Sequence, residues 1–184
     1  PIFQKIRAKR SAVLAAGTAL LDLSIGEPKG PALLSAREAA RDAVMSDEEV
    51  MHAYQYNLDQ AVPGFSERFV RAHLKRDLPE GDVAYLPIPG IKPILGLLPL
   101  AAGCASGPVC VATMTEPGYP IPADWCDYHP NADHYALSLD PDNEYLFSPN
   151  NIRSGTDLIM INYPHNPSGQ VAGETWLREL CAHC

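Results

Sequence analysis

The chain has 184 residues, 46% of them hydrophobic and 20% charged, and a formal net charge of −8 from 14 basic and 22 acidic side chains. That length supports one domain with a real core, and the acidic balance excludes a nonspecific nucleic-acid binder, which needs a basic surface. The most membrane-like run, residues 86–105, contains Lys92 and four prolines (Pro87, Pro89, Pro93, Pro99), so a spanning helix is rejected there.

Residues 1–20 read as a helix and its exit, with Gly17 as a C-terminal cap. Leu21 to Ile25 alternates and then breaks at Gly26-Glu27-Pro28, either a turn or a close backbone approach that only Gly26 allows. Residues 31–45 read as a helix with Leu33, Ala36, Ala40, Ala43 and Val44 on one face, followed by an acidic break at Ser46–Glu49. The segment from His52 carries Tyr54 and Tyr56 and leads into a helix that sets Val62, Phe65, Phe69 and Ala72 on one side. Residues 82–86 read as a strand, Pro87 to Pro93 as the turn after it, and Ile94 to Ala102 as an apolar helix. A glycine before a helix start leaves free N–H groups and a positive dipole end, which together suit phosphate.

Residues 107–113 read as a buried strand running into Thr115-Glu-Pro-Gly-Tyr119-Pro, a Pro-Gly turn that carries an aromatic ring. His134 to Leu139 reads as another strand, Asp140-Pro-Asp-Asn as a turn, and Phe147 to Ile152 as a crossover. Leu158 to Ile161 is a short continuous apolar run, the pattern of a strand buried on both faces of a parallel sheet. It ends in Asn162-Tyr-Pro-His-Asn166-Pro-Ser-Gly169, where Pro164 and Pro167 forbid regular structure, and a helix resumes at Glu174. Alternating strands and helices imply right-handed crossovers and a mostly parallel sheet in an α/β fold. Ligands of such sheets bind outside the carboxyl ends of the strands, which aims Asn166 at a ligand.

Five scattered cysteines, an odd count, read as free thiols in a reducing compartment, and the start has no apolar leader segment, so a cytoplasmic location is expected. Cys181-Ala-His-Cys184 falls in step with Trp176, Leu177 and Leu180, so its cysteines read as buried small apolar residues rather than as a metal or redox site. No metal site is expected. Gly90-Ile91-Lys92 is neither a Walker A loop nor Gly-x-Gly-x-x-Gly, so a generic nucleotide binder has no direct support.

Four segments in chain order (Gly26, Gly90-Ile91-Lys92, Pro117-Gly-Tyr119-Pro and Asn166-Pro-Ser-Gly169) resemble the fold-type-I, pyridoxal-phosphate-dependent aminotransferases of class I/II, with a flavour of the diaminopimelate type. The resemblance implies a three-layer α/β/α large domain, here incomplete: an N-terminal arm segment at 1–33 and a partial cofactor-binding domain at 34–184. It implies that Gly90, Ile91 and Lys92 cradle the phosphate of pyridoxal 5′-phosphate, that Tyr119 stacks on its ring, and that Asn166 binds its phenolic oxygen. Tyr56, with Tyr54 as second choice, would reach the phosphate of the other subunit in a homodimer, and Gly26 would approach the substrate carboxylate. Ile91 stands where that family often has a hydroxyl, and Ala61 where it usually has Gly.

The activity implied is amino-group transfer between an amino acid and a 2-oxo acid. In that family the Schiff-base lysine, the pyridinium Asp and the substrate Arg all follow the Asn-Pro-Ser-Gly loop. No lysine follows Lys92 here, so the chain is expected to be a fragment that is inactive alone. The alternatives are a non-catalytic effector-binding domain of a regulator and a carbon–sulfur lyase on the same fold.

Overall fold

The computed structural model describes residues 2–23, 26, 30–53, 64–74, 78, 81 and 83–184, and its internal contacts divide the chain into two units, 1–63 and 64–184. Tyr54, Tyr56 and Ala61 lie outside the described residues.

The first unit holds α1 (Ile2–Ala15), α2 (Leu34–Val44) and a 3₁₀ turn at Glu49–Met51. Gly17 ends α1 as expected. Its φ of +74° puts it in the left-handed region, its N–H donates to the Leu14 carbonyl, and the Thr18 N–H donates to the Val13 carbonyl. These two bonds form the Schellman pattern, which satisfies carbonyls left over at a helix end. The Arg10 guanidinium pairs with the Asp22 carboxylate at 3.0 Å.

The second unit contains α3 (Phe65–Leu74), α4 (Ile91–Ala101), β1 (Val109–Thr113), α5 (Ile121–Cys126), β2 (Ala132–Ala136), β3 (Leu158–Met160) and α6 (Glu174–His183). The strands form a parallel sheet in the order β2-β1-β3, with Val111 level with His134 on one side and with Leu158 on the other. One face buries Val109 and Val111 with Cys104, Cys126 and Met160, against Leu95 and Leu98 of α4. The opposite face buries Ala112 with Tyr135, Leu137, Phe147 and Leu180, against Trp176 of α6. The result is the expected three-layer α/β/α arrangement around a mostly apolar central strand.

Close approach of α4 and α5 depends on Gly96, where a Cβ would stand 2.7 Å from the Trp125 ring. The Asp140–Asn143 turn also forms as read, as a capping box with reciprocal side-chain-to-backbone bonds at 2.9 and 3.0 Å. Among the described residues, no helix is long and apolar enough to cross a membrane.

Several local expectations are corrected. Of the strand expected at 82–86, residues 83–86 form none, because no described strand lies beside them to pair with, and Asp82 lies outside the described residues. Helix α4 begins at Ile91, three residues before the expected start, directly after Gly90. Strand β2 starts two residues and ends three residues before the expected bounds, because β1 offers partners from Ala132 only as far as Ala136, although the Leu137 N–H still donates to the Thr113 carbonyl. Helix α5 was not foreseen. Cys181 and Cys184 are exposed rather than buried, since α6 turns Trp176 and Leu180 inward and leaves Cys181 on the flank it shares with Leu177.

Candidate active site

Parallel strands deliver their carboxyl ends to one edge of the sheet, where two loops leave the ladder: residues 114–120 after β1 and residues 161–173 after β3. Between them lies a cavity of about 300 Å³, lined by Ile91, Leu95, Met114, Tyr119, Pro122, Met160, Ile161 and Asn162. Three elements converge on it: the first turn of α4, the loop before α5 and the end of β3. A larger cavity, about 640 Å³, is lined by Arg153, Thr156, Asp157 and the last residues of α6, at the amino end of β3. The position of ligand sites in parallel sheets favours the smaller, carboxyl-end cavity.

The α4 terminus is open towards solvent. Gly90, the N-cap, has φ +132° and no side chain to cap with, and Ile91 and Lys92 are exposed. Helix geometry leaves the N–H groups of Gly90, Ile91 and Lys92 without intrahelical acceptors, and Pro93 has no N–H to satisfy. A positive φ of this size favours glycine at position 90.

The loop after β1 is held by an extreme backbone approach. Thr115 and Gly118 pair as an isolated antiparallel bridge, and a Cβ on Gly118 would stand 1.8 Å from the Met114 carbonyl oxygen. Only glycine fits this turn, and the turn directs half-buried Tyr119 to the cavity wall. At the strand end, buried Thr113 joins its Oγ1 to His134 Nε2 at 2.7 Å and to Thr115 Oγ1 at 3.0 Å.

The loop after β3 is tied down by its own polar groups. The Asn162 N–H donates to Met114 Sδ at 3.4 Å, and the Asn162 side-chain oxygen accepts the Asn166 N–H at 3.3 Å. The Tyr163 hydroxyl donates to the Tyr145 carbonyl at 2.8 Å, and burial pushes its pKa up to about 12. His165 is 2% exposed, with Nδ1 2.7 Å from Ser168 Oγ and Nε2 3.0 Å from the Pro117 carbonyl.

The structure therefore brings Ile91 and Tyr119 to one cavity, with Gly90 and Lys92 beside Ile91 at the open helix end. Asn166 does not line that cavity. It is exposed, one hydrogen bond away from Asn162, which does. Gly26 belongs to the first unit and has open space around it. Sequence reading passed over Asn162, Met114 and His165. The signal for His165 was a potential donor and acceptor set between two prolines in a loop that must pack.

A parallel α/β/α unit with helices on both faces of the sheet is also the fold of the solved structures it resembles. It matches the aspartate aminotransferase from Rhizobium meliloti (TM-score 0.72, 20% identity, 98% of this chain and 44% of that one). It also matches an aminotransferase from Staphylococcus aureus (TM-score 0.71, 22% identity, 89% of this chain and 43% of that one).

In sequence the chain is similar to LL-diaminopimelate aminotransferases. That of Dehalococcoides mccartyi is 26% identical over 97% of this chain and 46% of its own length. The second such protein of Trichormus variabilis is 25% identical over 100% and 47%, and that of Methanocaldococcus jannaschii 28% over 97% and 43%. The aminotransferase resemblance read from the motifs thus holds along 97–100% of the chain, which spans somewhat under half the length of these curated relatives. No protein-family model matches it.

Proposed function

We propose that this chain forms the pyridoxal-phosphate-binding part of an aminotransferase acting between an amino acid and a 2-oxo acid. The observation that carries this reading is the convergence of the open α4 N-terminus, Tyr119 and the β3 end on one apolar-walled cavity. The residues suit the group. Free amides and a dipole end at Gly90, Ile91 and Lys92 meet the needs of a phosphate, and an aromatic ring beside an apolar wall meets those of a flat heterocycle.

In this reading the backbone of 90–92 and the Lys92 ammonium hold the phosphate, Tyr119 stacks on the ring, and Asn166 donates to its phenolic oxygen. Gly26 approaches the substrate carboxylate, and Tyr56 serves the second subunit of a cytoplasmic homodimer. Residues 1–33 form an arm and 34–184 the partial large domain. Bound pyridoxal phosphate supplies the electron sink for loss of the substrate's α-proton. The residues present here bind and orient that group.

The test is a titration of the protein with pyridoxal 5′-phosphate, followed by the cofactor's absorbance and by competition with inorganic phosphate. Saturable binding that phosphate displaces is expected, weakened about fivefold in Tyr119→Ala, as for loss of about 1 kcal/mol of stacking. Binding that is indifferent to both phosphate and Tyr119→Ala would overturn the assignment.

A further inference from the structure

His165 is, with Thr113, one of two buried polar residues among the described residues, and both of its ring nitrogens are engaged. The Pro117 carbonyl can only accept, so Nε2 carries the proton in that bond. Ser168 Oγ already accepts the Gln170 N–H at 3.2 Å, which frees its hydroxyl hydrogen for Nδ1. The neutral ring with hydrogen on Nε2 satisfies every partner. One face of the ring lies 5.6 Å from the Tyr145 ring at an interplanar angle of 25°. Its backbone closes the loop as well: the His165 N–H donates to the Gln170 carbonyl and the His165 carbonyl accepts the Gly169 N–H, both at 2.7 Å.

The two ends of this side chain's reach matter. Pro117 sits two residues before Tyr119, and His165 sits one residue before Asn166. One buried imidazole therefore bridges the two loops that carry the proposed ring contacts, 48 residues apart in the chain. Among the described residues, the only other hydrogen bond between them is the weaker N–H to sulfur bond from Asn162 to Met114.

We propose that His165 is a positioning residue, whose Nε2–H bond to the Pro117 carbonyl locks the Tyr119 loop in register with the Asn166 loop. The functional consequence rests on the cofactor reading above, but the clamp itself does not. Three variants separate its parts. His165→Gln can place an amide N–H near the Nε2 position and keep the bond to Pro117. His165→Asn reaches only the Nδ1 position, keeping Ser168 and losing Pro117. His165→Ala loses both.

Amide hydrogen exchange is read across residues 115–119 without cofactor, with β1 as internal reference. Exchange about tenfold faster in His165→Asn and His165→Ala, and close to the parent in His165→Gln, is expected for loss of one buried hydrogen bond. Equal exchange in the Gln and Asn variants would overturn the clamp, and that comparison stands even where the Ala variant fails to fold. Affinity for pyridoxal 5′-phosphate is then measured on the same set and is expected to fall in the same order. The expected exchange pattern with affinities that ignore all three variants would overturn the link from clamp to cofactor and leave the clamp standing, whereas absence of phosphate-displaceable binding in the parent would sink the cofactor reading alone.

Discussion

Gly118→Ala is the sharpest test of the site's construction. The added methyl would lie 1.8 Å from the Met114 carbonyl oxygen, 2.7 Å from its carbon and 2.9 Å from Thr115 Cα, all backbone atoms. None can rotate away, and Met114 directly follows the central strand. To reach an ordinary contact the turn must open by about 1.6 Å, which breaks the Thr115–Gly118 bridge. Overpacking of this kind costs about 1–3 kcal/mol, and a lost backbone hydrogen bond about 1 kcal/mol more. A total of about 2–4 kcal/mol lowers Tm by about 5–15 °C in a chain of this size.

The control is Gly107→Ala, where a Cβ meets nothing within 4 Å. It is expected to change stability by no more than about 0.5 kcal/mol. Thermal and urea unfolding of the three proteins, followed by far-UV circular dichroism, decide the matter. If Gly118→Ala matches Gly107→Ala within about 0.5 kcal/mol, the turn is not built as described.

Tyr163 supplies a pH prediction. Its folded pKa of about 12 lies above the ordinary 10.0 because burial disfavours the phenolate. The fold therefore holds the proton more tightly than the unfolded chain, and the contribution is complete below about pH 10 and lost as pH rises towards 12. Solvent screening of this half-buried side chain limits it to about 1 kcal/mol. Tyr163→Phe should flatten the alkaline fall in urea midpoint across that window, and parallel curves for the two proteins would refute it. The thiols should fall into classes with an aromatic disulfide reagent. Exposed Cys181 and Cys184 react first, while Cys126 resists until unfolding. Burial chiefly, then Asp127 and Cys104, raises the Cys126 pKa, and its Sγ is engaged with the Pro122 carbonyl at 3.3 Å. Labelling of Cys126 with the fast pair in the native protein would contradict this packing.

The central strand was legible because burial on both faces writes a continuous apolar run, and the same holds for Leu158–Met160. Residues 83–86 have a similar local pattern, but a strand exists only where another strand offers its donors and acceptors, and composition carries no sign of that partner. Helix α5 hid behind Pro120 and Pro122, which look like breakers but sit in the first turn, where proline is tolerated. Gly118 and Gly169 read alike as turn glycines. Only the three-dimensional path shows that one presses on a carbonyl while the other has open space and a left-handed φ of +78°. Long-range polar pairing, such as His165 with Pro117, leaves no periodic trace at all.

The parallel order β2-β1-β3 also dictates how the sheet can assemble. The Thr113–His134 contact between β1 and β2 closes a loop of 21 residues, whereas the Cys110–Asp157 bond at the mouth of β3 closes one of 47. Each doubling of a flexible loop adds about 0.6 kcal/mol of closure entropy, and non-local parallel pairing is slow to nucleate. The β1–α5–β2 unit is thus the less costly one to close, and adding β3 carries the larger closure entropy. The loop bearing His165 and Asn166 is joined to that strand, so bringing the two halves of the cavity wall together falls on the costlier closure.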